Sequence, residues 1–488
     1  MHHNPPPSSS PRLARLARLA GHFGFLALGI MSLLLANERV LYIDSAAQLF
    51  EMLQRGSFVV FDHRYTMIVT QLLPFLLIKS GMPLRVIVAG YSIAAPLLGW
   101  AVYTFIVYGL KDVRLGLLLL LPLLCIRHTF FHAISETFSL AIYATLLLAL
   151  MTHRPQRGSR YAVPYAAGVL LSTLACIFIH PIGMFYVLFL VGHHWIGQHL
   201  RPTSTLVLTT VALVAGAAVK MSLGSDHDAE YMLTLGQAVH YLTTPSEMKI
   251  VHQFASRMGD FYFYPIALYA VALVFHCRRR QWLSLAYGIA FNTAFLLMTL
   301  VVYHDGGNAL NVERSFLPLM FFAGVPFLCE VVPACSRRWQ SILLGLLTMT
   351  LVLALVKIVD TSRHYSQRLD KLEEIADEGR RLGHRKMVTD RHRAEGVFDI
   401  DSWATGFESV LLSSLKGPDQ SVSIYIEEDA VDASNPDYRE ANAMLGVPWW
   451  RLWYYNALPQ RWIMLPEEPY CLLDFADSKP LLSDMESD

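Results

Sequence analysis

Asp44, Arg64, Glu136 and Arg314 each stand at the edge of a long apolar run. An ionisable side chain is costly there unless it faces water or a partner. A carboxylate in such a place can take a proton from a hydroxyl, and a guanidinium can hold a phosphate. The segment "RVLYIDSAAQLFEMLQRG" (39–56) shows the pattern first. Asp44 opens a short amphipathic stretch with Ala46, Ala47, Leu49, Phe50 and Leu53 along one stripe. Gln48, Glu51 and Arg55 lie opposite, and Gly56 closes the helix. Such a segment is expected to lie flat at a membrane surface. The plainer alternative makes Asp44 an N-cap, worth about 0.5–2 kcal/mol, which would not exclude catalysis.

Three further loops supply chemistry-bearing groups. "RHTFFHAISETF" offers Arg127, His128, His132, Ser135 and Glu136, with Ser135 placed to cap the helix that Glu136 begins. A helix start explains one acid but not an Arg, two His and a Glu together. "FDHRYTMIVTQ" brings Asp62, His63 and Arg64, where Arg64 is either a phosphate ligand or a snorkelling side chain. "YHDGGNALNVERSFLP" holds His304, Asp305, Gly306, Gly307, Asn308, Asn311, Glu313 and Arg314. Arg314 either clamps a phosphate or pairs with Glu313 or Asp305. His180 precedes Pro181 at a helix turn, where it is structural or touches a ligand. Asp226, His227 and Asp228 read as a solvated loop or a cation site. Trp449, Trp450, Trp453, Tyr454 and Tyr455 suit carbohydrate stacking, docking against another part of the chain, or lipid headgroups.

The elements that must position these groups are membrane helices. The chain has 488 residues, is 54% hydrophobic and only 16% charged, against about 25% in soluble proteins. Apolar runs recur from Gly21 to Val359, so the protein is polytopic. Its net charge is zero, and no basic stripe points to nucleic acid. Arg12, Arg15 and Arg18 precede a first run at 21–36, which is expected to remain as an uncleaved helix. None of the six cysteines forms a C-x-x-C pair, and no Asn lies in N-x-[ST]. The cysteines imply no disulfide framework or zinc site, and the lack of N-x-[ST] suits a bacterial envelope protein, with the inner membrane as the expected location.

Charge then sets the topology. The run at 66–78 is short of the ~20 residues needed to span, contains Pro74 and ends at Lys79. If it does not cross, Lys111/Arg114, Arg154/Arg157/Arg160, Arg201, Arg278–Arg280 and Arg337/Arg338 all share the side of Arg12–Arg18. The expected fold class is an all-α polytopic membrane domain of about eleven transmembrane helices, with interfacial helices in the first external loop. A small α/β extracytoplasmic C-terminal domain follows, read from a helical stretch at 362–383 and the strand-like "SVSIYIEE". The expected divisions are a disordered basic cytoplasmic N-terminus at 1–20, the membrane domain at 21–359 and the external domain at 360–488.

This arrangement resembles the GT-C superfamily of integral-membrane glycosyltransferases, in which an external acid follows the first helix. Asp44 matches that acid by position, Glu136 the acid of a second external loop, and Arg64 or Arg314 the basic residue that holds the donor phosphate. Asp44 is followed by Ser45, so the acidic doublet of several branches is absent, and "PWWRLW" lacks the acid of an oligosaccharyltransferase motif. The resemblance therefore reaches the superfamily and no single branch. It implies a polyprenyl-phosphate sugar donor, a glycan, lipid or protein acceptor, and transfer with inversion. In these roles Asp44 is the general base, and Glu136 is a sugar or base-orienting ligand. Arg64 and Arg314 are phosphate ligands, with His63, His132, His180 and Asn308 as further substrate contacts.

No cofactor is required by this reading, no metal ligand is assigned, and a divalent cation is left open. Two rivals belong to other classes. A membrane acyltransferase would use His132 or His180, but its donor usually arrives through a cytoplasmic or transmembrane tunnel. A transporter or flippase would need ionisable groups near the bilayer midplane, where these runs are nearly free of charge.

Overall fold

The computed structural model describes residues 11–155, 159–224, 234, 236–258, 262–390, 403–427, 431–432, 435–447 and 450–472. The expected loop acids at 226 and 228, His227 and Trp449 lie outside them. Among the described residues, seven helices are long and apolar enough to cross a membrane. They are Pro11–Leu34, Leu84–Gly109, Ala162–Ile179, Ser204–Leu223, Trp282–Val302, Ala309–Ala334 and Arg337–Arg381. Five shorter apolar helices, including Tyr65–Lys79 and Glu136–Thr152, pack among them. Helices suit such runs because each backbone N–H and C=O is satisfied within the segment. Glu136–Thr152 packs against the next helix, Ala162–Ile179, which in turn packs on Ser204–Leu223 beyond the intervening Gly183–Gly197. Leu26, Val163, Val214 and Leu346 remain exposed, as side chains bathed by lipid would be.

Three expectations are corrected. The first described helix begins at Pro11, so residues 11–20 of the stretch expected to be disordered are helical. Leu, Ala and Arg are strong helix formers, and Pro suits the first helical position. The boundary expected at 359/360 falls inside one unbroken helix of 45 residues, Arg337–Arg381. No Gly or Pro separates its apolar half from its charged half, so nothing stops it. Finally, the first-loop helix Ile43–Arg55 is buried on both faces, Gln48 and Glu51 included, instead of lying open on a membrane surface. Its cover comes from the C-terminal region.

That region holds two small sheets. In the first, β1 (Lys386–Asp390) pairs in parallel with β2 (Ser423–Glu427) and with β5 (Cys471–Leu472). In the second, β3 (Ala443–Val447) and β4 (Trp450–Tyr454) are antiparallel. A parallel pair needs a crossover, and helix Thr405–Ser414 supplies it between β1 and β2. The same helix packs on Ile43–Arg55, where Phe407 stacks on Phe50 with ring centroids 4.5 Å apart. Trp453 meets Phe50 edge-on at 5.3 Å, so it docks the domain and is not free to stack on carbohydrate. Arg461 bonds the carbonyl of Gly81, and Trp462 Nε1 donates to the carbonyl of Met82 at 2.9 Å. The domain is thereby seated on the end of the helical bundle that carries residues 37–85.

Candidate functional site

The long-range partners of Asp44 define the site. Asp44 is the second residue of its helix; the N-cap is Tyr42, which makes no side-chain cap bond, so the cap reading is corrected. Asp44 Oδ2 lies 3.1 Å from His132 Nε2. The Asp44 side chain keeps 40% of its area exposed although dense protein surrounds it, so it faces an open recess. His132 itself is buried, and its Nδ1 has no hydrogen-bond partner. A carboxylate only accepts, so His132 Nε2 is the donor in this pair. Burial alone would raise the Asp44 pKa. The hydrogen bond and charge of His132, followed by Arg314 and Arg64, prevail and bring it down to about 2.

Glu136 opens helix Glu136–Thr152, capped as expected by Ser135, whose hydroxyl accepts from the N–H of Phe138 at 3.3 Å. Its carboxylate receives Arg64 in a charge-assisted bond, and Arg64 also lies 3.6 Å from Asp62. Asp62 and His63 both adopt left-handed backbone angles, φ 48° and 57°, which turn the chain sharply before Arg64. Arg314, His180 and His132 all lie within electrostatic range of Glu136. His180 is buried, and its Nδ1 accepts from the N–H of Ile182 at 3.1 Å. Burial, with Arg64 beside it, holds the His180 pKa well below its usual value, so the ring is neutral with its proton on Nε2. Asp44, Arg64, Glu136, His132, His180 and Arg314 thus form one cluster from five separate stretches of chain.

Within it the charges are unevenly committed. Arg64 and Glu136 satisfy each other. Arg314 makes no hydrogen bond or ion pair among the described residues, and the expected alternative of a pairing with Glu313 or Asp305 does not occur. Glu313 turns instead to the loop: Oε1 accepts from the N–H groups of Arg127 and Thr129, both at 2.8 Å, and Oε2 from that of His128 at 3.1 Å. Two neighbouring residues therefore divide the work. Glu313 ties down the loop that presents His132 and Glu136, and Arg314 is left with unspent charge.

Other expected contacts fall elsewhere. His63 Nδ1 sits 3.3 Å from the Tyr65 hydroxyl and is outside the cluster's charge network. Asn308 caps helix Ala309–Phe316 through its Oδ1, which accepts from the N–H of Asn311 at 2.9 Å. His128 Nδ1 lies 3.1 Å from the Tyr365 hydroxyl, away from Asp44. No group of three His, Cys, Asp or Glu that could hold a metal occurs among the described residues.

Sequence reasoning missed the supports. Arg39 is buried and donates to Ser92 Oγ at 2.8 Å, to the Ser92 carbonyl at 3.1 Å and to the carbonyl of Phe130. It lies 4.0 Å over the Phe130 ring, and its own carbonyl accepts from the N–H of Ala133 at 3.2 Å. The residues beside Asp44 are thus stapled to those beside His132. From the C-terminal domain, fully buried Glu408 accepts the N–H of Ile43 at 2.6 Å and pairs with Arg368 of the long helix. Ile43 has φ 40°, a conformation in which a β-branched residue is strained, so this bond helps hold the backbone next to Asp44. A single acid inside the apolar "WATGFESVLLSSL" was the available signal.

Comparison with protein-family models, with curated proteins and with solved structures gives no match.

Proposed function

We propose that the protein is a membrane glycosyltransferase of GT-C-like architecture, moving a sugar from a polyprenyl-phosphate donor to an acceptor hydroxyl at the external face. The observation that carries this reading is the pairing of an ionised, water-accessible Asp44 with an uncommitted Arg314 in one cluster. Arg314 takes the donor phosphate, and Arg64 adds charge while remaining paired with Glu136. Phosphate departs with the electrons of the C1–O bond as the acceptor oxygen attacks the opposite face. The forming bond makes the acceptor hydroxyl strongly acidic, so a carboxylate of low pKa suffices to take its proton. His132 keeps that carboxylate ionised and oriented; alignment supplies much of the remaining rate.

The eleven-span arrangement belongs to the same proposal. It is supported by the placement of helix Ile68–Lys79, whose two ends both face the C-terminal domain's end of the bundle. Thr66 bonds the Ala175 carbonyl at 3.0 Å near the top of Ala162–Ile179, and Gly81 is held by Arg461. The N-terminus then lies in the cytoplasm and the domain outside.

Binding of a polyprenyl phosphate lacking sugar, measured on the purified full chain, tests the phosphate site. Arg314→Gln should weaken it about 10- to 100-fold, the worth of a charged hydrogen bond, while Arg338→Gln leaves it unchanged. Equal binding by wild type and Arg314→Gln would remove the basis of this reading.

A further inference from the structure

A second ligand site lies at the opposite end of the bundle from Asp44. There the start of helix Pro11–Leu34 and the start of Arg337–Arg381 splay apart over Val113–Leu118 and Phe263–Arg278, leaving a cavity of about 740 Å³. Leu13, Ala17, Leu121, Leu268, Leu343 and Leu347 line its body. Its volume is within the ~300–1,000 Å³ usual for ligand pockets. Leu16 and Leu346 are exposed on the flanking helices, so the groove opens on the lipid-facing surface.

The polar end is cationic. Arg18, Lys111 and Arg114 line it together with His153, against a single acid, Asp112. Asp112 is fully engaged. It accepts from the N–H groups of Arg114 and Leu115, lies 3.2 Å from Arg114 Nη2 and lies 3.1 Å from His153 Nε2. Arg18 carries a buried Nε with no hydrogen-bond partner, and Lys111 is paired with no acid among the described residues. Lys111 also sits at φ 60°, an unfavourable angle for a side chain of its kind. Among the described residues, the Arg18 guanidinium has only the Tyr108 ring, 5.9 Å away, beside it. Two cations without a carboxylate partner at the mouth of an apolar groove call for an amphiphile with an anionic head.

We infer that this groove binds an anionic phospholipid of the adjacent leaflet, with the phosphate between Arg18, Lys111 and Arg114 and an acyl chain along the leucines. Charge complementarity selects the occupant. A zwitterionic lipid would bring its own cation to a site that already has an excess, and a neutral chain would leave Arg18 unsatisfied. The proposal is independent of the chemistry at Asp44.

Native mass spectrometry of the full chain tests it, after exchange into detergent with phosphatidylglycerol or phosphatidylcholine of identical acyl chains. Wild type should retain one phosphatidylglycerol in preference to phosphatidylcholine. Arg18→Gln with Lys111→Gln should reduce that retention about 10- to 30-fold, since each cation near an anionic headgroup contributes appreciably. Arg337→Gln with Arg338→Gln lies at the same end but outside the groove, so it should leave retention unchanged. Ala14→Trp should block the groove and abolish retention, with thermal unfolding of each variant confirming the fold. Equal retention of the two lipids would overturn the assignment, as would loss in the Arg337/Arg338 variant matching that in Arg18/Lys111. Persistence of the bound lipid in Ala14→Trp would place it elsewhere.

Discussion

The Asp44 carboxylate and the His132 imidazole meet at 3.1 Å across 88 positions of sequence, with the carboxylate reached by water and the imidazole buried behind it. On the proposed reading, this geometry suits His132 to a positioning role. It cannot reach a substrate through its buried side, but it fixes the direction of the Asp44 oxygens and favours their ionised form. Replacing His132 by Gln should keep a hydrogen-bond donor near Asp44 while removing the imidazole. Burial then pushes the Asp44 pKa up from about 2, so the acid limb of the pH–rate profile should move to higher pH. An unmoved limb would separate His132 from Asp44 titration.

The buried Glu408–Arg368 pair gives a second expectation. Removing one partner strands a buried charge, so Glu408→Ala should lower stability by about 3–5 kcal/mol in detergent unfolding. Glu408→Leu combined with Arg368→Met should recover much of that loss, because neither charge then needs burial. Recovery of fold without full activity in this double variant would show that the bond to Ile43 contributes to placing Asp44.

Glu313 should behave as a structural acid. Three backbone N–H groups depend on its carboxylate, and each unsatisfied buried donor costs about 1–3 kcal/mol. Glu313→Ala should therefore destabilise by roughly 3 kcal/mol or more. A neutral effect would mean the loop 127–129 finds other acceptors.

His128 provides a pH signature of stability. Burial, then the charges of His364, Arg257 and Arg127, lowers its pKa to about 4 from the ordinary 6.5. The unfolded chain takes up a proton as pH falls through 6.5, while the folded chain does so only near 4. Stability should therefore decline as pH falls across that window and level off below it. His128→Phe should flatten this part of the profile.

The sequence makes the membrane helices legible because an apolar run long enough to cross lipid has few other stable forms. It also marks Asp44, Glu136, Arg64 and Arg314, since charge at a run's edge stands out against a lipid-compatible background. Which charge pairs with which was hidden. Glu313 and Arg314 are adjacent in sequence yet serve different partners, a division fixed by helix rotation and by a loop 184–186 residues away. The burial of Ile43–Arg55 was equally hidden, because its amphipathic stripe suits a protein cover as well as a membrane surface. That cover, Thr405–Ser414, comes from far along the chain.

Transfer of labelled sugar from a polyprenyl-phosphate donor, followed in membranes containing wild type or Asp44→Asn, tests the central claim most directly. Loss of about 10²–10⁴-fold in rate with donor binding retained is the predicted result for removal of a general base. Full transfer by Asp44→Asn would contradict it.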